Sequence, residues 1–417
     1  MPNSRSWDVQ CTWDLYLETG PEKLRINPRK SSYYLAEVTT NGDYEVTFRL
    51  NRPQPSFPMT LASGFSVIYP CHISPRDMRS HPIGTGPFKL AEFKRKEFVK
   101  VTRNYDYWKP DRPYLDCIEH PVVTDPAIAV LAFIAGNFDM TRPGQVTVPQ
   151  MNDIMSRVPQ AICEWTPGNV NRHLLVNRDN PPFDNPNLRR VIALSIDRQA
   201  FVDIIGQGQG RIGGVLQPPP AGLWGMPPEM LRELPGYDPD VQKNRTEGRR
   251  IMEGLSYRPD HRLSIKITSQ DWPIYRDPAV LLIDQLQQVY IDSELELVDT
   301  PQYYPKILRK DYAVALNLQT SGPDPQILLW LRRQRQLERL LQPPGRRADR
   351  ATIAGSRSQP PQRRAVGDRA EAGDGRARPI LFYRNGGTCR QPYVKGLTLM
   401  ANSPFNAWRM EDAWLDQ

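Results

Sequence analysis

Residues 263–318 read LSIKITSQDWPIYRDPAVLLIDQLQQVYIDSELELVDTPQYYPKILRKDYAVALNL, and this stretch decides the fold class. Residues 263–268 alternate apolar and polar side chains, the two-residue period of a half-buried strand. Residues 277–290 are expected to form a helix, 294–298 a strand, 304–310 a short helix and 314–318 another strand. Strands that alternate with helices predict an α/β protein.

Working outward, residues 173–177 read as a further strand, and Asn185-Pro186 caps a helix that carries Leu188, Val191, Ile192 and Leu194. Towards the N-terminus, 8–19 reads as a short amphipathic helix. Residues 34–39 and 44–50 flank Asn41-Gly42, the dipeptide favoured in two-residue hairpin turns. A second hairpin is expected over 86–93 and 98–103, and a strand over 114–123. Asp125-Pro126 then caps a helix over 127–135 that stops at Gly136. The proline-rich stretch 217–239 is too long for a simple turn and is expected to wrap over a cleft or between domains.

The 417 residues are 39% hydrophobic and 24% charged, ordinary for a globular chain and enough for two or three domains. The longest apolar run, 127–135, has nine residues. A membrane-spanning helix needs about 20. The opening MPNSRSWDVQ has no apolar core and no small-residue cleavage site, so no signal peptide is expected in this chain. Cys11, Cys71, Cys117, Cys163 and Cys389 are scattered without a CxxC pair, which indicates neither a zinc ribbon nor a disulfide framework and leaves their pairing open.

The net charge of +8 is confined to one segment. Residues 331–378 hold thirteen arginines, no lysine and five acids, which accounts for the whole excess. The segment has no aromatic residue, whereas RNA-binding basic patches mix lysine with arginine and interleave rings for stacking. No nucleic-acid partner is therefore expected, although an Arg-rich nucleic-acid-binding or adaptor protein stands as the alternative function.

Motifs for chemistry fail on context. Gly208-Gln209-Gly210-Arg211-Ile212-Gly213 has the GxGxxG spacing, but a dinucleotide site needs a strand before it and a helix after it. Here a helix over 199–205 precedes it and prolines follow, so a flexible glycine loop is expected. His72, His81, His120, His173 and His261 form no ligand-spaced pair, and Asp238 and Asp240 read as turn residues. No catalytic residue, metal or cofactor is expected. Trp224, Trp272, Tyr275, Tyr303, Tyr304 and Trp330 lie in or beside loops of the middle section, where aromatics suit the lining of a ligand cleft or pack domain edges.

Four stretches together carry a resemblance: GTGPFKLAEFK at 84–94, VTRNYDYWKPDRPYLD at 101–116, NRDNPPFDNPNLRRVIALSIDRQAF at 177–201 and VKGLTLMANSPFNAWRMEDAWLD at 394–416. They resemble the extracellular solute-binding proteins of the peptide/nickel class, family 5, of ABC importers. The resemblance implies two α/β lobes of the class II periplasmic-binding-protein type, joined by a hinge and closing on a solute. It implies no catalysis, a small oligopeptide-like solute, delivery to a membrane permease, a periplasmic location and a monomer. Lobe I is expected over 1–165, lobe II over 166–395, and the chain returns to lobe I over 396–417.

Two departures from the family pattern stand out. The chain enters well inside the first lobe, which implies a truncated start and an incomplete lobe I. The Arg-rich segment has the composition that GC-rich coding sequence gives out of frame, so a frameshift is expected near 331–378. A disordered segment or a true insertion is the other reading, and a non-functional remnant of a binding protein is a further alternative for the chain. Peptide binders of this family often meet the ligand's amino group with a second-lobe carboxylate, and Asp324 in Ser321-Gly322-Pro323-Asp324-Pro325 matches that segment. A turn aspartate between two prolines is the other reading of Asp324. Trp224, Trp272 and Tyr304 are the aromatic ligand contacts expected with it.

Overall fold

The computed structural model describes residues 5–22, 24, 35–51, 53–54, 57–62, 66–214, 218, 222, 225–320, 378–400 and 407–416. The chain divides into two units, Met1–Thr166 with Gly386–Gln417, and Pro167–Asn385.

In the first unit, helix Ser6–Leu17 lays Trp13 and Tyr16 on the hairpin of β1 (Leu35–Asn41) and β2 (Glu45–Leu50). Asn41 still pairs with Glu45, so the turn has three residues instead of the expected two. Gly42 takes its left-handed position, with φ 71°. The second hairpin appears as β3 (Phe88–Lys94) and β4 (Phe98–Arg103), and β5 (Cys117–Pro121) extends it to three antiparallel strands. Helix Pro126–Ile134 starts where its cap requires. The Asp125 carboxylate accepts from the Ala127 N–H at 2.8 Å, and Gly136 has φ 78° just past the end.

Helix Val148–Arg157 was missed in the sequence, although its signal is local. The Thr147 hydroxyl and the Gln150 side chain cap each other's backbone N–H groups. The helix buries Met151 and Ile154 against Val130, Phe133 and Cys389. β6 (Ile162–Thr166) pairs antiparallel with β13 (Gly386–Arg390), so this compact unit takes the chain up again at Gly386. β14 (Val394–Lys395) and β15 (Trp414–Leu415) pair beyond it.

The cysteines correct the sequence analysis. Cys11 bonds Cys71, Cys163 bonds Cys389, and Cys117 alone is free. Their wide spacing hid the pairs because tertiary packing, not sequence proximity, juxtaposes them: Cys11 lies in helix Ser6–Leu17 and Cys71 in a turn. Cys163 stands directly opposite Cys389 on the β6–β13 ladder.

The second unit is built on one six-stranded sheet: β7 (Val170–Val176), β8 (Gly210–Arg211), β9 (Leu263–Gln270), β10 (Ile291–Val298), β11 (Val314–Thr320) and β12 (Ile380–Arg384). The order is β10-β9-β11-β7-β12-β8, with the first three parallel and each later step antiparallel. Side-chain alternation divides the apolar residues between two faces. Leu174, Val176, Val314 and Leu316 join Leu188, Val191 and Ile192 of helix Pro186–Ser195 and Ala279, Leu282 and Leu286 of helix Pro273–Gln287. Leu175 and Ala315 face Tyr303 and Ile307 of helix Thr300–Leu308.

Helix Pro273–Gln287 starts earlier than the expected 277 because Pro273 takes a first-turn position. The 208–213 glycines also differ from expectation. Gly210 and Arg211 form β8 against β12, and a Cβ on Gly210 would lie 3.1 Å from the Tyr383 carbonyl oxygen. This is an ordered strand edge at which glycine permits close backbone approach, not a flexible loop.

Asp238 and Asp240 hold the start of helix Val241–Gly254 as turn and cap residues. Asp240 accepts from the Lys243 N–H at 3.0 Å, and Asp238 pairs with the Lys243 ammonium at 2.6 Å. That ammonium, with the Asp240 N–H, lowers the pKa of the Asp238 carboxyl.

Candidate functional site

The chain leaves β9, crosses one face of the sheet through helix Pro273–Gln287 and enters β10. It then crosses the other face through helix Thr300–Leu308 and enters β11 on the far side of β9. The winding direction therefore reverses between β9 and β11. In open α/β sheets the crevice outside the carboxyl ends of the strands at such a point is the usual ligand position.

Aromatic and polar side chains collect at that edge. Trp272 is the N-cap residue of the helix after β9 and is 61% exposed. Tyr275 sits one turn on, with its ring centre 6.4 Å from that of Tyr303. Tyr303 and Tyr304 meet edge to face at 5.3 Å. The Tyr303 hydroxyl donates to the Leu316 carbonyl, which fixes this pair to β11. Tyr304 stays 44% exposed. The Tyr275 hydroxyl faces Tyr304 and Gln270, and burial, reinforced by Tyr304, pushes its pKa up to about 12. It therefore stays protonated, and can donate a hydrogen bond, across the physiological range.

β7 runs antiparallel to β11, so its first residues reach the same edge. Its sequence Asn171-Arg172-His173-Leu174-Leu175-Val176 puts three polar residues at the edge and three apolar ones in the core. Asn171, Arg172 and His173 are all buried, as are Gln270 on β9 and Asn317 on β11. Asn171 Oδ1 lies 2.9 Å from His173 Nδ1, and the Thr300 hydroxyl donates to Gln270 Oε1 at 3.1 Å. Asn317 Oδ1 has no hydrogen-bond partner among the described residues. The Arg172 guanidinium lies over the Phe382 ring at 4.9 Å. Burial first, and then the like charge of Arg384, lower its pKa to about 9.

Of the expected site residues, the structure brings Trp272, Tyr275, Tyr303 and Tyr304 to one edge. Trp224, Asp324 and Trp330 lie outside the described residues, as does the Arg-rich segment up to 377. The sequence analysis missed Arg172, Gln270 and Asn317. Arg172 carried a usable signal, a charged residue two positions before the apolar run Leu174–Val176 of the same strand. Gln270 and Asn317 carried none, since a polar residue at a strand end is commonplace. Among the described residues no group of three or more His, Cys, Asp or Glu side chains is placed to hold a metal ion.

The family model of the bacterial extracellular solute-binding proteins, family 5 middle region, matches residues 8–335. The chain belongs to family 5 of the bacterial extracellular solute-binding proteins. Its match starts in the first helix and ends just inside the Arg-rich segment. Di/tripeptide-binding protein 1 of Pseudomonas aeruginosa is 23% identical over 295 residues, covering 64% of this chain and 53% of the relative. Oligopeptide-binding protein AppA of Bacillus subtilis is 26% identical over 296 residues, covering 65% and 51%. The family 5 chain thus spans about half the length of these relatives.

Among solved structures, the periplasmic binding protein DppA of Helicobacter pylori, in complex with the peptide STSA, superposes with a TM-score of 0.79 at 16% identity. That alignment covers 99% of this chain and 82% of that one. NikA of Brucella suis, in complex with Fe(III)-EDTA, gives 0.74 at 18%, covering 99% and 84%. At such identities the likeness establishes the fold, which is the two-lobed α/β fold of periplasmic binding proteins. Among the described residues no helix is long and apolar enough to cross a membrane.

Proposed function

We propose that this chain is the solute-binding component of an ABC importer. It would capture a peptide-like solute at the carboxyl edge of β9 and β11 and deliver it to a membrane permease without altering it chemically. The observation that carries this reading is the family match over residues 8–335, whose described part includes the aromatic edge. Two relatives named for di/tripeptide and oligopeptide binding support the choice of solute. The working protein is a monomer, with Met1–Thr166 and Gly386–Gln417 acting as one lobe and Pro167–Asn385 as the other. Two disulfides suit an oxidising compartment outside the cytoplasm, in keeping with a periplasmic location.

A ligand that binds only the folded state stabilises it by about 2.7 kcal/mol at a hundredfold excess over Kd. Thermal melts of the purified chain against di-, tri- and tetrapeptides should therefore show a Tm rise of several degrees with at least one of them. A folded chain whose Tm moves with none of these peptides sinks the proposal.

Trp272 and Tyr304 are the ligand-facing aromatics of this site, because both are exposed while Trp272 is held at the N-cap of one helix and Tyr304 within another. Replacing either by alanine should weaken peptide binding by about tenfold, the usual effect of losing an aromatic anchor. Since the rings are exposed, the ligand-free Tm should stay within about 2 °C of the parent. Calorimetric titration together with melts of the free variants checks both halves.

A further inference from the structure

Three arginines are buried among the described residues of the second unit, and two of them are satisfied. Arg189 donates to the carbonyls of Phe183 and Asp184 at 2.8 and 2.9 Å, and Arg198 donates to Ile380 at 2.9 Å and to Gly236. Arg172 differs. It is only 4% exposed, and its Nε meets no acceptor among the described residues. Among the described residues the charged neighbour that acts on it is Arg384, a like charge, no carboxylate offsets it, and the favourable polar group is the Tyr275 hydroxyl.

A cation buried without an acceptor or a counter-charge is costly, and structural arginines avoid that state by donating to carbonyls, as Arg189 and Arg198 do. Proteins tolerate such a local violation chiefly at functional sites. Arg172 stands at the edge already described for β9 and β11, beside Tyr275. We propose that Arg172 is the seat for an oxyanion of the bound solute, with Arg384 adding positive potential and Tyr275 a hydroxyl donor. The planar guanidinium fork matches a carboxylate bidentately, so a carboxylate is the expected group. The proposal deepens the solute-binding reading and rests on it.

The test uses trialanine and its C-terminal amide as probes in titrations of the wild-type chain, Arg172→Met and Arg172→Lys. The wild type should bind the acid at least about tenfold tighter than the amide, a preference of about 1.4 kcal/mol. Arg172→Met should lose that preference and Arg172→Lys keep part of it. Ligand-free Arg172→Met should also melt above the wild type, since it no longer buries an unpaired charge. Melts with acetate and with phosphate, at constant ionic strength, form a separate arm that compares wild type with Arg172→Met and separates carboxylate from phosphate recognition.

Equal binding of acid and amide by the wild type overturns the Arg172 proposal and leaves the solute-binding reading standing. Binding of neither peptide counts against the peptide reading, and the anion melts then decide Arg172. An anion response confined to the wild type supports it, and an equal response in both proteins overturns it. An Arg172→Met chain that melts below the wild type, or fails to fold, marks a structural charge and also overturns it.

Discussion

Gly236→Ala is expected to unfold the Pro167–Asn385 unit, or to remove more than about 4 kcal/mol of its stability. Gly236 has φ 78°, where any Cβ is strained. Space forbids the side chain as well. A Cβ there would overlap the Ala193 carbonyl oxygen and sit 2.7 Å from its carbon and 3.3 Å from Leu194 Cα. Those atoms belong to helix Pro186–Ser195, which is packed into the main core. Nor can the loop move away freely, because the Arg198 guanidinium donates to the Gly236 carbonyl, stacks on Tyr237 at 3.6 Å and ties to Ile380 of β12.

Gly42→Ala is the matched control. Its φ is 71° but nothing lies within 4 Å of the added Cβ, so a loss of only about 1 kcal/mol is expected. Denaturant unfolding of the two variants measures the contrast. If Gly236→Ala loses no more than Gly42→Ala, the close packing of that loop is wrong.

The second large effect belongs to the Cys163–Cys389 disulfide. It closes a loop with a sequence separation of 226, against 60 for Cys11–Cys71. In the chain-entropy picture a loop of that size restrains the unfolded state by about 5 kcal/mol, and removal of native bridges generally costs about 2–5 kcal/mol. The bridge also fastens β13, the strand by which the chain rejoins the first unit, to β6. Cys389 is fully buried beside Phe133 and Ile154. The double change Cys163→Ala and Cys389→Ala should therefore lower the stability of the first unit by several kcal/mol, and more than removal of Cys11–Cys71. Free-thiol titration of the unfolded, unreduced chain should find one thiol per molecule, that of Cys117. Three or five free thiols, or equal melting with and without reductant, would rule the pairing out.

Much of the site's framework was legible because its rules are local. Asn185 and Asp125 cap helices from within two or three residues of the N–H groups they accept from, so the sequence alone places those starts. The aromatics Trp272, Tyr303 and Tyr304 were legible as loop and loop-edge residues for the same reason. Helix Val148–Arg157 shows that a local signal can be present and still be passed over, since its Thr147–Gln150 capping box is complete. Arg172 was only half legible. Its place just before the apolar run of β7 can be read directly, but the missing acceptor of its Nε depends on what β9, β11 and β12 bring beside it.

The sequence by itself determined the α/β class, the helix starts at Pro126 and Pro186, both hairpins and the family, since each rests on periods, caps and motifs contained within short windows. Tertiary structure alone decided the rest. It set the β10-β9-β11-β7-β12-β8 order, the return at Gly386, the two disulfides, the strand role of Gly210 and the unpartnered Nε of Arg172 among the described residues. Each of these joins residues tens to hundreds of positions apart. Backbone hydrogen bonds between strands carry no residue-specific code, so such pairings are selected only when the whole core closes.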